Sequence, residues 1–333
     1  MKIIVLMGGT SSERDVSLAS GVRVARALRD AGHTVTAVDT TRGALQAAEE
    51  QAMLAGSVVH TEPPTLEMLG RMAGGALTRT MRTLPTRGDA DVIFLALHGG
   101  DGEDGTLQAL LDLVGIPYTG SGHLASALAM DKDLSKRLFR AAGIQTPDWL
   151  MAPVSEEKVE RSLGFPVVVK PSREGSTVGL SVVRERSGLA AAVAEASRYD
   201  NEVMIERFIA GRELTVTILG DEALPVGEIF PKHEIYDYEC KYTDGMAREE
   251  FPARLSPEET AEIQRQALTA FRALKLKGYA RIDFRMSEDG IFHCLEANTL
   301  PGMTGLSLVP QAAVAAGISF PELCERIVRL ALD

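Results

Sequence analysis

VVVKPSREGSTVG, residues 167–179, joins a short apolar run to a loop of small and polar residues. Three consecutive valines are typical of a buried β-strand, and this strand ends at Lys170. The loop offers Gly175, Ser176 and Gly179, whose small side chains let backbone N–H groups approach phosphate oxygens. The lysine precedes the glycines, so this is not a Walker A motif. The stretch predicts a phosphate-binding loop, and an ordinary strand-to-turn joint stays open as the alternative.

Acidic side chains recur in two later segments that also look like strands. RIDF contains Arg281 and Asp283, and LEAN contains Glu296 and Asn298. Alternate residues of a strand share a face, so pairing the two strands would bring all four side chains together. Carboxylate and amide oxygens suit Mg²⁺, which uses few protein ligands and takes the rest from phosphates. A salt bridge between Arg281 and a neighbouring acid is the alternative, although unpaired charge in otherwise apolar strands is expensive.

A third segment, VMIERFI, is followed at short distance by Glu213. Backbone groups near Arg207 and Ile209 are candidates to contact an adenine base, and Glu213 is a candidate to accept hydrogen bonds from ribose hydroxyls. This pattern has little specificity by itself.

The N-terminal third predicts an open α/β sheet. KIIVLMGG, a helix over residues 16–31 and TVTAVDT indicate strand, helix and strand, and DVIFLAL (91–97) indicates a further buried strand. That strand runs into HGGDGEDG and a helix over residues 106–114, and ligands favour such strand ends. Residues 41–88 predict a helix near 45–54 and a surface excursion with a solvated basic run.

The remainder alternates strands and helices. Residues 121–142 predict one helix, ended by Gly143 and Pro147. FPVVVKPS, GLSVVRE, a helix over 188–198, EVMIERFI and ELTVTILG predict a small antiparallel sheet with helices on one face. A helix over 257–276, the strands YARIDFRMS and GIFHCLEAN, and helices from Leu308 and Phe320 complete the chain.

Composition limits the class of protein. The 333 residues suffice for two or three domains with a substantial core. A net charge of −11 argues against broad nucleic-acid binding but leaves room for small anions, and no apolar run approaches the roughly 20 residues that span a bilayer. The three cysteines lack the spacing of a disulfide framework or zinc site, which favours a reducing compartment. We therefore expect a cytoplasmic protein without nucleic-acid or membrane partners.

Taken together, these motifs resemble ATP-grasp ligases, and specifically D-alanine–D-alanine ligases. The resemblance rests on Lys132 in MDK, Lys170, Glu206 in MIERFI, Glu213, RIDF and LEANTLPGMT, and it extends from GGTSSERDVS to SLVP and the last helix. It implies an α/β, ATP-grasp fold with an N-terminal parallel α/β (preATP-grasp) domain over residues 1–121, a central α+β domain over 122–212 and a C-terminal α+β domain over 213–333. A mobile lid loop is expected over residues 232–250.

The resemblance also implies site residues. For the nucleotide they are Lys132, Lys170 and Ser176 at the phosphates and Glu206, Arg207, Ile209 and Glu213 at adenine and ribose. For two Mg²⁺ or Mn²⁺ ions they are Asp283, Glu296 and Asn298. For the amino-acid substrates and catalysis they are Glu13, His98, Ser176, Arg281, Gly302, Ser307, Lys241 and Tyr242, with Tyr242 expected to bond Ser176, which in turn meets Glu13.

The activity implied is ATP-dependent joining of two D-alanine molecules, through a D-alanyl phosphate, for peptidoglycan and cell shape. A homodimer is the family expectation. Tyr242 favours the dipeptide over D-alanyl-D-lactate, whereas D-serine as second substrate is harder to exclude, and Leu306 stands where some members carry a polar residue. A ligase for other amino acids and a nucleotide-sensing module without catalysis are the rival functions.

Overall fold

The fold is given by a computed structural model that describes residues 1–56, 65, 67, 68, 88–243 and 245–333, and for Tyr242 the backbone alone. Three β-sheets follow one another along this described part of the chain. The predicted excursion and basic run within 57–87 lie almost wholly outside the described residues. No helix in the described ranges combines the length and apolar character needed to cross a bilayer.

The N-terminal sheet is the predicted open α/β sheet. Its strands are β1 (Lys2–Met7), β2 (Thr34–Asp39), β3 (Gly43–Ala44) and β4 (Val92–Leu95), in the order β3-β2-β1-β4. β1 pairs parallel with β2 and with β4, so the strand order reverses beside β1. Ligands commonly bind at the carboxyl ends of strands at such a point.

Within the described residues, three helices accompany this sheet: α1 (Arg14–Asp30), α2 (Ala47–Ala55) and α3 (Thr106–Val114). α1 lies between the sheet and the C-terminal helices, because Val22, Val24 and Leu28 share one core with β1 and with the chain's last helices. This packing holds the loop after β1 close to the C-terminal third of the chain.

The predicted helix over 121–142 is wrong as a single element. The chain forms α4 (His123–Met130) and α5 (Lys132–Ala141), separated by Asp131 in an extended conformation. The Asp131 side chain accepts a hydrogen bond from the backbone N–H of Leu134 at 2.9 Å. An aspartate that caps a new helix in this way competes with continuation of the preceding one, and here it starts α5 at Lys132.

The central sheet is antiparallel and carries the phosphate-loop candidate. Its elements are β5 (Trp149–Met151), α6 (Glu156–Ser162), β6 (Val167–Pro171), β7 (Ser181–Val183), α7 (Leu189–Ala196) and β8 (Val203–Arg207). The strand order is β5-β8-β6-β7, and helices α6 and α7 contribute to the core of this sheet.

ELTVTILG, predicted as a further strand of the central sheet, belongs to the next one. This strand, β9 (Arg212–Leu219), pairs with strands of the C-terminal sheet on both sides. Its alternation of buried residues predicts a strand but does not specify a partner, and the long pairing with RIDF determined the outcome.

Besides β9, the C-terminal sheet contains β10 (Glu222–Ala223), β11 (Gly227–Pro231), β12 (Ala247–Glu250), β13 (Tyr279–Met286) and β14 (Phe292–Asn298). Its order is β12-β11-β9-β13-β14, with β10 paired to β9. The helices of this part of the chain are α8 (Tyr238–Tyr242), α9 (Pro257–Ala273), α10 (Leu308–Ala315) and α11 (Phe320–Leu330). α9 stops before the predicted residue 276 because Lys275 adopts a left-handed conformation, with φ of 58°. The domain divisions after residues 121 and 212 stay predictions.

Candidate active site

The four polar side chains of RIDF and LEAN meet on β13 and β14. The strands pair antiparallel, with Arg281 opposite Asn298 and Asp283 opposite Glu296. Asp283 is the centre: Arg281 Nη2 and Asn298 Nδ2 each donate to its Oδ2 at 2.9 Å, and Thr215 donates to its Oδ1 at 2.8 Å. The alternative salt bridge between Arg281 and an acid is therefore present, and it lies inside the cluster with both side chains largely buried.

Positive charge surrounds the cluster on the side of the central domain. Lys132, at the start of α5, places its Nζ 3.3 Å from Glu296 and donates to the backbone oxygen of Glu174 at 2.7 Å. Burial opposes ionisation of Glu296, but Lys132, Lys170 and Lys241 hold its pKa at about 2. An ionised carboxylate beside a second acid and an amide oxygen is a donor set that suits a hard divalent cation.

The carboxylate of Glu206 joins two lysines of different elements. Lys170 Nζ lies 2.8 Å from its Oε2, and Lys136 on α5 contacts its Oε1. Burial opposes ionisation of Glu206, but the two lysines outweigh it and lower the pKa of this carboxylate. Burial also lowers the pKa of Lys136, to about 8. Glu206, predicted at adenine, thus positions the phosphate-loop lysine. Our sequence analysis missed Lys136, and its only signal was the i,i+4 spacing from Lys132.

A cleft with an empty volume of about 990 Å³ lies between the central and C-terminal sheets. Its walls include Val168, Phe208, Ile209, Leu295 and the predicted Lys170, Glu206, Arg207, Glu213 and Asp283. Apolar walls with a few polar groups are typical of a ligand cleft.

Arg285, which our sequence analysis missed, organises the far end of this cleft. Its Nη1 lies 3.1 Å from Glu213, and its Nε donates to the backbone oxygen of Ile209 at 3.1 Å. Burial raises the pKa of Glu213, and Arg285 opposes that shift. Arg207 differs from the prediction in part, because its backbone N–H is already bonded to the oxygen of Asp148 at 2.8 Å.

A second cleft, of about 820 Å³, adjoins the first. It is lined by six of the residues that were predicted for the amino-acid substrates and catalysis: Glu13, His98, Ser176, Arg281, Gly302 and Ser307. Ser176 donates to the carboxylate of Glu13, which lies 163 residues earlier in the chain. Gly175 lies so close that a Cβ there would stand 2.6 Å from Glu13 Oε2. The structure therefore brings the N-terminal loop and the phosphate loop into direct contact.

His98 is held as a neutral imidazole. Its Nδ1 donates to the backbone oxygen of Leu300 at 2.7 Å, and its Nε2 lies 3.0 Å from the hydroxyl of Ser20. That hydroxyl accepts from the N–H of Met303, so its own proton is available to Nε2. Burial lowers the pKa of His98. The histidine thereby supports the loop that carries Gly302.

Gly302 and Ser307 lie together at the opposite wall. A Cβ on Gly302 would stand 2.7 Å from the Ser307 Oγ, so only glycine fits there without displacement of that hydroxyl. The Ser307 hydroxyl accepts from the N–H of Thr304 at 3.0 Å and precedes α10. Leu306 also lines this cleft.

Lys241, in the segment predicted to form a lid, lines both clefts. It lies on α8, with its Nζ 5.6 Å from the ring centre of Tyr236, a buried residue that also faces both clefts. The predicted contact between Tyr242 and Ser176 lies outside the described residues, because no side chain of Tyr242 is described.

Glu103, in HGGDGEDG, is a buried acid that our sequence analysis missed. It accepts from the backbone N–H groups of Gly99 at 2.9 Å, Thr299 at 3.1 Å and Leu300 at 3.0 Å. It thus joins the loop after β4 to the end of β14. Burial, reinforced by the charge of Glu13, raises the pKa of Glu103 from 4.5 to about 7.

This raised pKa predicts a pH-dependent stability. The folded state binds the Glu103 proton more tightly than the unfolded state, so its favourable contribution is complete below pH 4.5 and is lost as the pH rises through about 7. Urea denaturation of the wild type and of Glu103→Gln at a series of pH values measures the difference. Between pH 4.5 and about 7, the free energy of unfolding of the wild type should fall relative to that of the variant, and at higher pH the difference between the two should stay constant. A difference that is the same at every pH would contradict the assignment.

Two family models match this chain. Residues 2–121 match the family model for the D-ala D-ala ligase N-terminus, and residues 138–329 match that for the D-ala D-ala ligase C-terminus. The D-alanine--D-alanine ligase of Citrifermentans bemidjiense is 46% identical over 331 residues, 99% of this chain and 96% of that protein. That of Geotalea uraniireducens is 44% identical over 332 residues, 99% and 95% of the two chains.

Solved structures agree with the sequence matches. The D-alanine–D-alanine ligase of Coxiella burnetii superposes with a TM-score of 0.80 at 30% identity, covering 100% of this chain and 94% of that one. The Bacillus anthracis enzyme complexed with ATP has a TM-score of 0.75 at 32% identity, covering 100% and 97%. The predicted fold and the predicted ligase activity in peptidoglycan precursor synthesis are confirmed. The chain belongs to the D-alanine–D-alanine ligase family, whose members join two D-alanine molecules.

Proposed function

We propose that the first cleft of this ligase binds ATP and the adjoining cleft binds two D-alanine molecules, which react where the clefts meet. The observation that supports this most is the shared wall: Lys132, Lys241, Arg281 and Glu296 line both clefts. A triphosphate ending at that wall would present its γ-phosphate to a carboxylate held on the other side. The ATP bound to the Bacillus anthracis relative supports the same use of nucleotide.

In the first step, a carboxylate oxygen of one D-alanine attacks the γ-phosphorus, the bond to ADP breaks, and a D-alanyl phosphate forms. Lys132 and Lys170 offset the charge on the transferring group, and Glu13 holds the ammonium of that D-alanine. The close contact of Glu13 with Ser176 supports a fixed position for the amine. Fixing both ends of the amino acid brings the reacting atoms into line, which accounts for a large part of such rate enhancements.

In the second step, the amine of the other D-alanine attacks the acyl carbon, loses a proton and displaces phosphate. Arg281 and the backbone N–H of Gly302 are proposed to stabilise the oxyanion of the tetrahedral intermediate, and Ser307 to bind the second carboxylate. Acyl phosphates hydrolyse readily, so the segment that carries Lys241 is proposed to close over the site and exclude water. Tyr242 is proposed to take part in that closure.

Asp283, Glu296 and Asn298 are proposed to hold two Mg²⁺ or Mn²⁺ ions. The ionised state of Glu296 and the convergence of three oxygen-bearing side chains fit these hard cations. Such ions, when bound, offset phosphate charge and orient the triphosphate.

Isotope transfer tests the reaction. D-Alanine labelled with ¹⁸O in its carboxylate, incubated with ATP and Mg²⁺, should give D-alanyl-D-alanine by mass spectrometry and one ¹⁸O atom in the released phosphate. Unlabelled phosphate would contradict an acyl phosphate. A panel of D- and L-amino acids tests the rival ligase activity, and ATP hydrolysis that does not respond to any of them would favour a sensing module.

Gly175→Ala tests the role of Glu13. Because a Cβ at residue 175 would stand 2.6 Å from Glu13 Oε2, the carboxylate must move away from its position beside Ser176. We expect kcat/KM for D-alanine to fall roughly 10- to 100-fold, the effect of a displacement near 1 Å. Steady-state phosphate release measures it, and kcat/KM for ATP should change less.

Gly122→Ala is the matched control, since its Cβ would make only an ordinary contact, 3.7 Å from the hydroxyl of Tyr118. Equal kinetics in Gly175→Ala and Gly122→Ala would contradict the proposed role of Glu13 in substrate binding.

The proposal extends to a homodimer, expected from the family resemblance, and to a location in the cytoplasm, expected from the composition. Sedimentation equilibrium of the purified chain tests the first, and fractionation of producing cells tests the second.

A further inference from the structure

Three side chains of the predicted lid segment form a cluster outside the two clefts. His233 Nδ1 lies 2.7 Å from Asp237 Oδ2, and Asp237 Oδ1 accepts from the backbone N–H of Cys240 at 3.0 Å. One possible ligand atom from each of the three residues lies within 4.8 Å of the other two. Their spacing of four and three residues follows the turn that leads into α8.

The three side chains of this cluster differ in how far solvent reaches them. Cys240 is buried whereas His233 is exposed, so the cluster is open to solvent on one side.

A helix cap and an exposed His–Asp pair account for only part of this arrangement. Asp237 caps α8, but the cap needs one carboxylate oxygen and leaves the other on His233. An exposed ion pair contributes little to stability, and neither feature accounts for the convergence of a nitrogen, an oxygen and a sulfur ligand atom within 4.8 Å of one another.

We propose that His233, Asp237 and Cys240 form a binding site for a thiophilic divalent cation such as Zn²⁺, with water as the fourth ligand. Nitrogen, oxygen and sulfur together in a four-coordinate set are suited to Zn²⁺ and to Co²⁺, whereas Mg²⁺ prefers oxygen alone. On binding, the Cys240 thiol releases its proton to solvent and the sulfur bonds the cation.

The proposed cation site lies next to Lys241, so we expect a bound cation to affect turnover. A cation bonded to residues 233, 237 and 240 would cross-link the turn before α8 to the helix that carries Lys241. Closure of the lid over the reacting groups requires that segment to move. We therefore expect Zn²⁺ to inhibit turnover reversibly; this consequence alone rests on the proposed function, and the binding itself does not.

Co²⁺ titration of the full chain tests the site. With excess Mg²⁺ present and no ATP, an intense sulfur-to-cobalt charge-transfer band should appear, saturate at one Co²⁺ per chain and disappear on addition of Zn²⁺. Oxygen-bonded Co²⁺ at Asp283 or Glu296 gives no such band. The absence of a charge-transfer band in the wild type would overturn the proposal, whatever the ligase activity proves to be.

The variants separate this sulfur from the two others. Cys240→Ser should abolish the band, and His233→Ala, at an exposed position, should weaken Co²⁺ binding by at least about tenfold, a loss that even an outer contact of a metal site can cause. Cys324→Ala is the matched control, because Cys324 is a buried core cysteine of α11. A band that persists in Cys240→Ser, or one that is lost in Cys324→Ala, would contradict the assignment.

Discussion

Glu296→Gln is expected to lower kcat roughly 10²- to 10³-fold, the scale on which the loss of one preorganised electrostatic group is measured. The substitution keeps the shape of the side chain and removes its charge from the point where the two clefts meet. It takes one anionic oxygen from the proposed cation ligands and leaves Lys132, 3.3 Å away, without its carboxylate. Phosphate release at saturating ATP and D-alanine measures the loss.

Because the pKa of Glu296 is about 2, the carboxylate is ionised throughout the neutral range, and the ratio of wild-type to variant kcat should not depend on pH there. Glu288→Gln is the matched control, since Glu288 is an exposed acid in the turn between the same two strands. A wild-type kcat in Glu296→Gln would contradict a role of this carboxylate at the reacting centre.

Lys136→Met is expected to lower the free energy of unfolding by about 3 kcal/mol, the lower end of the range for removing one partner of a buried ion pair. Lys136 is fully buried and contacts both Glu206 and the hydroxyl of Thr146, the latter at 2.6 Å. Without it, Glu206 keeps Lys170 as its partner, which is why the lower end applies. Urea denaturation measures the change.

Arg137→Met controls for the loss of a cation from the same helix. Arg137 pairs with Asp133 at the surface, where the change should stay within about 0.5 kcal/mol. Adding Glu206→Gln to Lys136→Met should lower the stability further, because the largely buried Lys170 then loses its carboxylate partner. A destabilisation equal to that of Arg137→Met would show that the buried pair contributes nothing.

The carboxylate cluster was predictable because it depends on local geometry. Side chains alternate along a strand, so Arg281 with Asp283, and Glu296 with Asn298, had to share faces once the two segments were strands. The chain between these segments is short, which favours an antiparallel pair, and the register then determines the contacts. The same reasoning failed for β9, since its alternation specifies a buried strand without specifying which sheet it joins.

Lys136, Glu103 and Arg285 were missed for a different reason. Each is a charged residue in a segment whose local pattern does not distinguish a solvated face from a buried one. Lys136 is buried only because Glu206 arrives from β8, 70 residues later in the chain. Glu103 is bonded only because Thr299 and Leu300 return beside it from the end of β14.

The sequence by itself determined most of the strands and helices and the family, because these follow from periodicity and from motifs that a short segment contains. Only the tertiary structure decided which sheet β9 joins, how Lys136 and Glu206 hold Lys170, and how His233, Asp237 and Cys240 converge on one side of the lid. The physical reason is that burial and charge pairing depend on atoms brought together from distant segments, and those contacts exist only after the chain has packed.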